Sequence, residues 1–210
     1  MVIHISLDLE TWGTRPGADI RSIGACVFDP ATGRVGFGTN HEDNGTFYIA
    51  CDNPAIGSDG PKMLHKYPLH RDPRTVQWWS EQSDEAQAAF ADPVDLREAL
   101  ERFDAWLQSV AGRGHYSPAN QHVTNVCIWS HGAAFDPPIL AEAYHAVGLP
   151  MPWHYRAPRD TRTLFDMAGI DDHTAWLAAH PGPLGLVHHA LDDAICQARA
   201  VCAAYGRIRA

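Results

Sequence analysis

Three short stretches of the chain carry acids and a histidine at spacings that suit metal-assisted chemistry. In Ile3-His-Ile-Ser-Leu-Asp-Leu-Glu10 apolar and polar residues alternate, the period of a strand with one apolar face. Asp8 and Glu10 then project to one side, close enough together to share cations. Thr11-Trp12-Gly13 follows, and the glycine lets the chain turn away tightly beside the pair. An Asp-x-Glu of this kind also fits an ordinary solvated strand edge. In Val126-Cys-Ile-Trp-Ser-His-Gly-Ala-Ala-Phe-Asp136 an apolar strand ends in small residues and delivers an aspartate just before Pro137-Pro138. A carboxylate there serves equally as a helix cap or as a metal ligand. In His188-His189-Ala-Leu-Asp192-Asp193 a histidine before a helix and an aspartate about one turn inside it can face one site as base and ligand. Acids at that place also complement the helix dipole.

These stretches can meet only if the elements between them fold around one sheet. The strand at 3–10 leads through the turn 13–17 into a second strand, Ile20–Phe28, and the loop Asp29–Gly33 leads into a third near Arg34–Phe37, so three antiparallel strands open the fold. Residues 38–72 are rich in Gly, Pro, Asn and Asp and read as a long surface loop with one short strand near Thr46–Ala50. A stretch of that kind in a compact domain is more often functional than idle. Trp78-Trp79 falls in one short helix and Asp84–Ala91 in another, and the apolar spacing from Leu96 to Val110 predicts a helix over 93–110 capped by Asp92. Val123–Trp129 reads as a strand, Pro137–Val147 as a helix and Trp153–Arg156 as a short strand; helices follow at 160–168, 171–179 and 190–205. Strands first, then alternating strands and helices, indicate a single α/β domain over 1–210 with a mixed sheet and an insertion near 38–72.

Composition narrows the function. Hydrophobic residues make up 45% and charged residues 20%, a globular profile rather than a disordered one. No apolar run is long enough for a membrane span, and the opening residues lack a secretory pattern, so the expected location is cytoplasmic. Five scattered cysteines without a Cys-x-x-Cys pair read as reduced core residues. The formal charge of −9 argues against a generic nucleic-acid-coating protein but not against a nuclease, because cations held by carboxylates supply positive charge where a phosphate sits. Thirteen histidines invite a zinc hydrolase, yet no His-Glu-x-x-His is present.

Taken together and in order, the acidic pair on the first strand, the Phe-Asp after a middle strand and the His-x-x-x-x-Asp on the last helix resemble the DEDDh 3′–5′ exonucleases of the ribonuclease H-like superfamily. Asp8-Leu-Glu-Thr-Trp-Gly, Trp78-Trp79-Ser-Glu-Gln-Ser, Arg159-Asp-Thr-Arg-Thr-Leu and Ala190-Leu-Asp-Asp-Ala extend the likeness over nearly the whole chain, towards a phage and bacterial branch of small ribonuclease T-like enzymes. The resemblance implies a ribonuclease H-like fold, with helices flanking a sheet of three antiparallel strands followed by parallel ones. Metal-binding acids would be Asp8, Glu10, Asp136 and Asp193. The general base, five positions before the last aspartate, would be His188, with Glu10 also in the catalytic set. An all-carboxylate site favours Mg²⁺ or Mn²⁺, and two ions about 3.5–4 Å apart would clamp the scissile phosphate. Thr11, Trp12, His131, Arg159 and His189 are candidate substrate contacts; relatives often carry asparagine in the stretch Ser130-His131-Gly132. Trp12, Trp78, Trp79 and Trp153 are candidates for stacking on terminal bases, with core packing the alternative. Arg15, Arg156, Arg159 and Arg162 are candidates for phosphate contacts or for a solvated surface role. The implied partner is nucleic acid with a free 3′ end, DNA or RNA; relatives commonly dimerise, which admits a homodimer here. A ribonuclease H-like scaffold that binds without efficient cleavage is the competing reading.

Overall fold

The computed structural model describes residues 2–37, 45–56 and 64–210. β1 (Ile3–Thr11) and β2 (Ile20–Asp29) form an antiparallel pair, and β3 (Arg34–Val35) returns briefly against the end of β2. The third full antiparallel strand is β4 (Thr46–Asp52), paired to β2. It lies inside the stretch expected as a loop and is longer than the short strand anticipated there, because Phe47, Ile49 and Cys51 turn one face to the core. β5 (Ala55–Ile56) and β6 (Leu64–His65) make a small ribbon; positions 38–44 and 57–63 of the expected loop lie outside the described residues.

α1 (Pro73–Ser80) is capped by Asp72 and α2 (Asp84–Ala88) by Ser83. The helix expected from residue 93 begins later. Val94 and Asp95 form β7, parallel to β4, and Asp95 rather than Asp92 caps α3 (Leu96–Ala111) by accepting the Arg97 amide. β8 (Tyr116–Ser117) and β9 (His122–Val123) pair as a ribbon, and β10 (Val126–Ser130) runs parallel to β1. α4 (Asp136–Val147) follows. The strand expected at 153–156 reduces to one bridge between Trp153 and Val123; the strand that joins β10 is β11 (Pro158–Asp160). A proline is admissible there because β11 is the sheet edge. α5 (Thr161–Met167), α6 (His173–Ala178) and α7 (Ala190–Arg209) complete the order.

The main sheet runs β11-β10-β1-β2-β4-β7 with β3 on β2, antiparallel in its first strands and parallel in the later ones. Ile5, Leu7 and Leu9 pack with Leu100 and Phe103 of α3 and Ile139 and Leu140 of α4. The opposite face is covered by α5 and α7, through Phe165, Ile195 and Val201 against Phe28. β1 is therefore central and covered on both sides, and its polar face is not solvated: Ser6 and Glu10 are buried. No helix among the described residues is long and apolar enough to cross a membrane.

Gly24 decides how closely α7 sits on this sheet. It pairs with Asp8 across β1 and β2, and a Cβ there would stand 2.1 Å from the Ala190 carbonyl carbon. The missing side chain lets the first turn of α7 rest on the sheet beside Asp8. Gly24→Ala should therefore push α7 outward, cost about 1–3 kcal/mol by overpacking and slow any reaction that uses Asp193. Denaturant unfolding and turnover measured together test this; a Gly24→Ala variant with parental values for both would show that the close approach is unnecessary.

Candidate active site

Four carboxylates converge where β1 ends, α4 begins and α7 takes its first turn. Asp8 and Glu10 share one face of β1, as their spacing requires. Asp136 is the first residue of α4 and not its cap: Phe135 takes the cap position with no side-chain bond. The Asp136 carboxylate instead accepts the Leu9 amide at 3.1 Å, so the backbone between Asp8 and Glu10 holds the third acid. The tandem aspartates of α7 divide their work. Asp192 is buried and accepts the Leu184 and Leu186 amides, each at 2.9 Å, tying down the preceding loop. Asp193 faces the strand acids.

The tandem histidines also part. His188 has φ +62°, a left-handed backbone uncommon for a side-chain-bearing residue. Its ring stands edge-on to Trp78 and Trp79, with centroids 4.8 and 6.2 Å away. Glu10, His188 and Asp193 bring one potential ligand atom each to within 4.8 Å of one another. His189 is the N-cap of α7: its Nδ1 accepts the Asp192 amide at 3.3 Å, and its ring stacks on Tyr48 at 4.4 Å.

Two chambers open on the carboxylates, and Asp8, Phe135 and Asp193 border both. One, of about 530 Å³, is lined by Thr11, Thr14, Arg74, Trp78, Trp79 and His188. The other, of about 490 Å³, is lined by His131, Gly132, Arg162, Leu177, Cys196 and Gln197. His131 Nδ1 lies 2.9 Å from the Thr161 hydroxyl, and burial, with Arg162 and His173 nearby, pushes its pKa down to about 4.

Burial dominates the electrostatics of the acids. It raises Asp8 well above the carboxylate range, reinforced by Asp136, Glu10 and Asp193 and opposed by the Gln197 amide, which donates to Asp8 Oδ1 at 2.7 Å. Glu10 is pushed up to about 8 by burial and then by Asp193 and Asp136, with Arg21 opposing. Asp136 rises to about 7 and Asp193 to about 6, again chiefly through burial. Such a group of acids resists simultaneous ionisation, and a bound cation relieves it. Each folded pKa exceeds its unfolded value, so the folded protein binds more protons and the metal-free fold loses stability as pH rises from about 4 through about 8. Thermal melts in chelator should show Tm falling over that interval, and Mn²⁺ should flatten the slope. A metal-free Tm that climbs instead would contradict this electrostatic picture.

Arg21, absent from the sequence-based set, is the cation beside Glu10. The register shift after Glu10 leaves it as the extra residue of β2, a bulge that re-aims its side chain. Its guanidinium lies 4.3 Å from the Trp12 and Trp79 ring centroids and 3.7 Å from that of Phe90. Trp12 is thus a wall of the Arg21 enclosure and lines neither chamber. Thr11 and His131 do line the cleft, while His189 and Arg159 do not. Arg159 borders, with Arg156, a separate cavity of about 350 Å³ by the starts of β1 and β10, and its guanidinium donates to the Arg156 and Pro158 carbonyls. Of the four arginines singled out from sequence, Arg162 reaches the cleft; Arg15 bonds His70. Gln197 escaped notice although it stands four residues after Asp193, on the same helical face. Arg74 had no signal, because its place depends on how α1 folds over the end of β1.

Residues 3–205 match the 3′–5′ exoribonuclease Rv2179c-like domain. The chain belongs to this family. No curated protein matches it by sequence. Among solved structures it is similar to cell-death related nuclease 4 (CRN-4), at TM-score 0.62 and 13% identity over 97% of this chain, and spans 63% of that one. The nuclease domain of 3′hExo, a DEDDh family member bound to rAMP, superposes at TM-score 0.56 and 13% identity, covering 96% of this chain and 90% of the other. S. pombe Pop2p, in a form with Mg²⁺ and Mn²⁺ bound, gives 0.54 and 15% over 96% and 82%. At these identities the likeness is one of fold, and the fold is that of the ribonuclease H-like DEDD exonucleases, in agreement with the sequence-based expectation.

Proposed function

We propose that the protein is a metal-dependent exoribonuclease that removes nucleoside 5′-monophosphates from the 3′ end of RNA, with Asp8, Glu10, Asp136 and Asp193 holding two Mg²⁺ or Mn²⁺ ions and His188 acting as general base. The observation that carries this is the meeting of four carboxylates and one histidine on a cleft open on two sides. The donor set fits the ions: oxygen ligands suit hard cations, and acids raised by burial and mutual repulsion gain when a divalent charge arrives. Such ions supply positive charge for the phosphate and activate the attacking water.

The remaining work falls to the chain itself. Burial holds the His188 pKa below the ordinary histidine value, so the ring is neutral and able to accept a proton at neutral pH. Trp78 and Trp79 fix its plane. Trp78 is 39% exposed in the same chamber and offers a face on which a terminal base can stack. Arg74 on one side and Arg162 on the other supply cations for flanking phosphates. RNA as substrate is supported by the family, and the DEDDh neighbour bound to rAMP accords with it. Matched RNA and DNA strands labelled at the 3′ or the 5′ end decide the matter. The expected result is Mg²⁺-dependent release of 3′-terminal mononucleotides, faster from RNA; internal cuts, or equal rates on both, would refute the reading.

A further inference from the structure

Gln197 lies one turn beyond Asp193 on α7, and helical side chains lean back towards the preceding turn. It is 5% exposed, and its Nε2 donates to Asp8 Oδ1 at 2.7 Å. Its Oε1 is buried and meets no donor among the described residues. An orphaned buried carbonyl destabilises the fold that holds it, and an apolar residue on this face of α7 would avoid that. A cation held by Asp8 keeps it a carboxylate, which only accepts hydrogen bonds, and this sets the amide with Nε2 towards Asp8. The orphan therefore sits on a side chain bordering the His131 and Arg162 chamber, beside the acid with the most carboxylate neighbours.

Resting on the reading of Asp8 as a metal ligand, we infer that Gln197 is a positioning residue with two jobs. Its Nε2 fixes the rotamer of Asp8, and its Oε1 accepts a hydrogen bond from a water carried by the cation that Asp8 holds. A cation with an incomplete set of protein ligands keeps several waters, and such a water is the donor the orphan lacks. Partners of this outer kind typically contribute 10- to 100-fold to metal affinity. Cys196 is also on this wall, but a thiol raised to about 11 by burial is a weak partner for a hard cation.

Mn²⁺ titrations by calorimetry, with free ion followed by electron paramagnetic resonance, test this on Gln197→Met, a near-isosteric change without either polar group. The proposal expects Mn²⁺ to bind at least tenfold more weakly while the metal-free Tm holds or rises, because the orphan is gone. A purely structural glutamine would give the reverse: a lower metal-free Tm with unchanged Mn²⁺ affinity. Gln197→Asn, which withdraws both groups by one methylene, should also lose affinity and covers the case in which Gln197→Met does not fold. Asp8→Asn run in parallel separates the failures. If it loses Mn²⁺ and Gln197→Met does not, the Gln197 assignment falls alone; if neither loses Mn²⁺, the metal-centre reading falls with it.

Discussion

Asp8→Asn should hydrolyse RNA about a thousandfold more slowly than the parent, or worse, while remaining folded. Asp8 borders both chambers and its pKa is raised by all three of the other acids, so it is the shared element of the cluster. Ionic stabilisation of a phosphoryl transition state amounts to several kcal/mol, and every 1.36 kcal/mol is tenfold in rate. Removing one buried negative charge also relieves repulsion, so the metal-free variant should melt at the parental temperature or above it. Glu10→Gln, Asp136→Asn and Asp193→Asn should behave alike. Single-turnover rates with saturating Mg²⁺, beside circular dichroism melts, give both numbers. Near-parental turnover by a folded Asp8→Asn protein would remove the metal-centre assignment.

His188→Ala should lose about 10²- to 10⁴-fold in rate, the usual contribution of a positioned general base, and should flatten the rising limb of the pH–rate profile. Burial lowers the His188 pKa, so the parental limb should have its midpoint below the ordinary histidine value. His189→Ala provides the contrast. Its ring caps α7 and stacks on Tyr48, so its removal should cost about 1 kcal/mol of stability and leave the pH profile in place. Were His189→Ala to abolish the rising limb and His188→Ala to spare it, the base would have to be reassigned.

The acids were legible because their geometry is local. A strand period places Asp8 and Glu10 on one face, and a histidine in the loop just before a helix can face an aspartate on its first turn, as His188 does Asp193. Whether Asp136 caps a helix could not be read from its place before two prolines; the Leu9 amide, far away in sequence, claims its carboxylate. The polar face of β1 looked like an edge because alternation says which residues share a side, not what covers that side. Here α7 does, seated on Gly24. Trp12 follows the acid pair and Arg159 stands in a motif shared with the family, but Trp12 packs against Arg21, and Arg159, midway along β11, borders a separate cavity. β4 was half hidden in a Gly- and Asn-rich stretch whose alternation is short. Gln197 was within reach of helical spacing, yet an uncharged residue on a late helix draws no notice until a hydrogen bond to Asp8 is seen.

The Leu9 amide grips a carboxylate 127 positions later, and Asp8 is gripped by an amide 189 positions later. During synthesis the strand acids emerge before these partners and wait, unmatched, while the intervening residues are made. At about 5–20 residues per second the nascent chain spends about ten seconds or more displaying Asp8 and Glu10 without Asp193 or Gln197. A ribosome-bound chain that has not yet released α7 therefore lacks the centre.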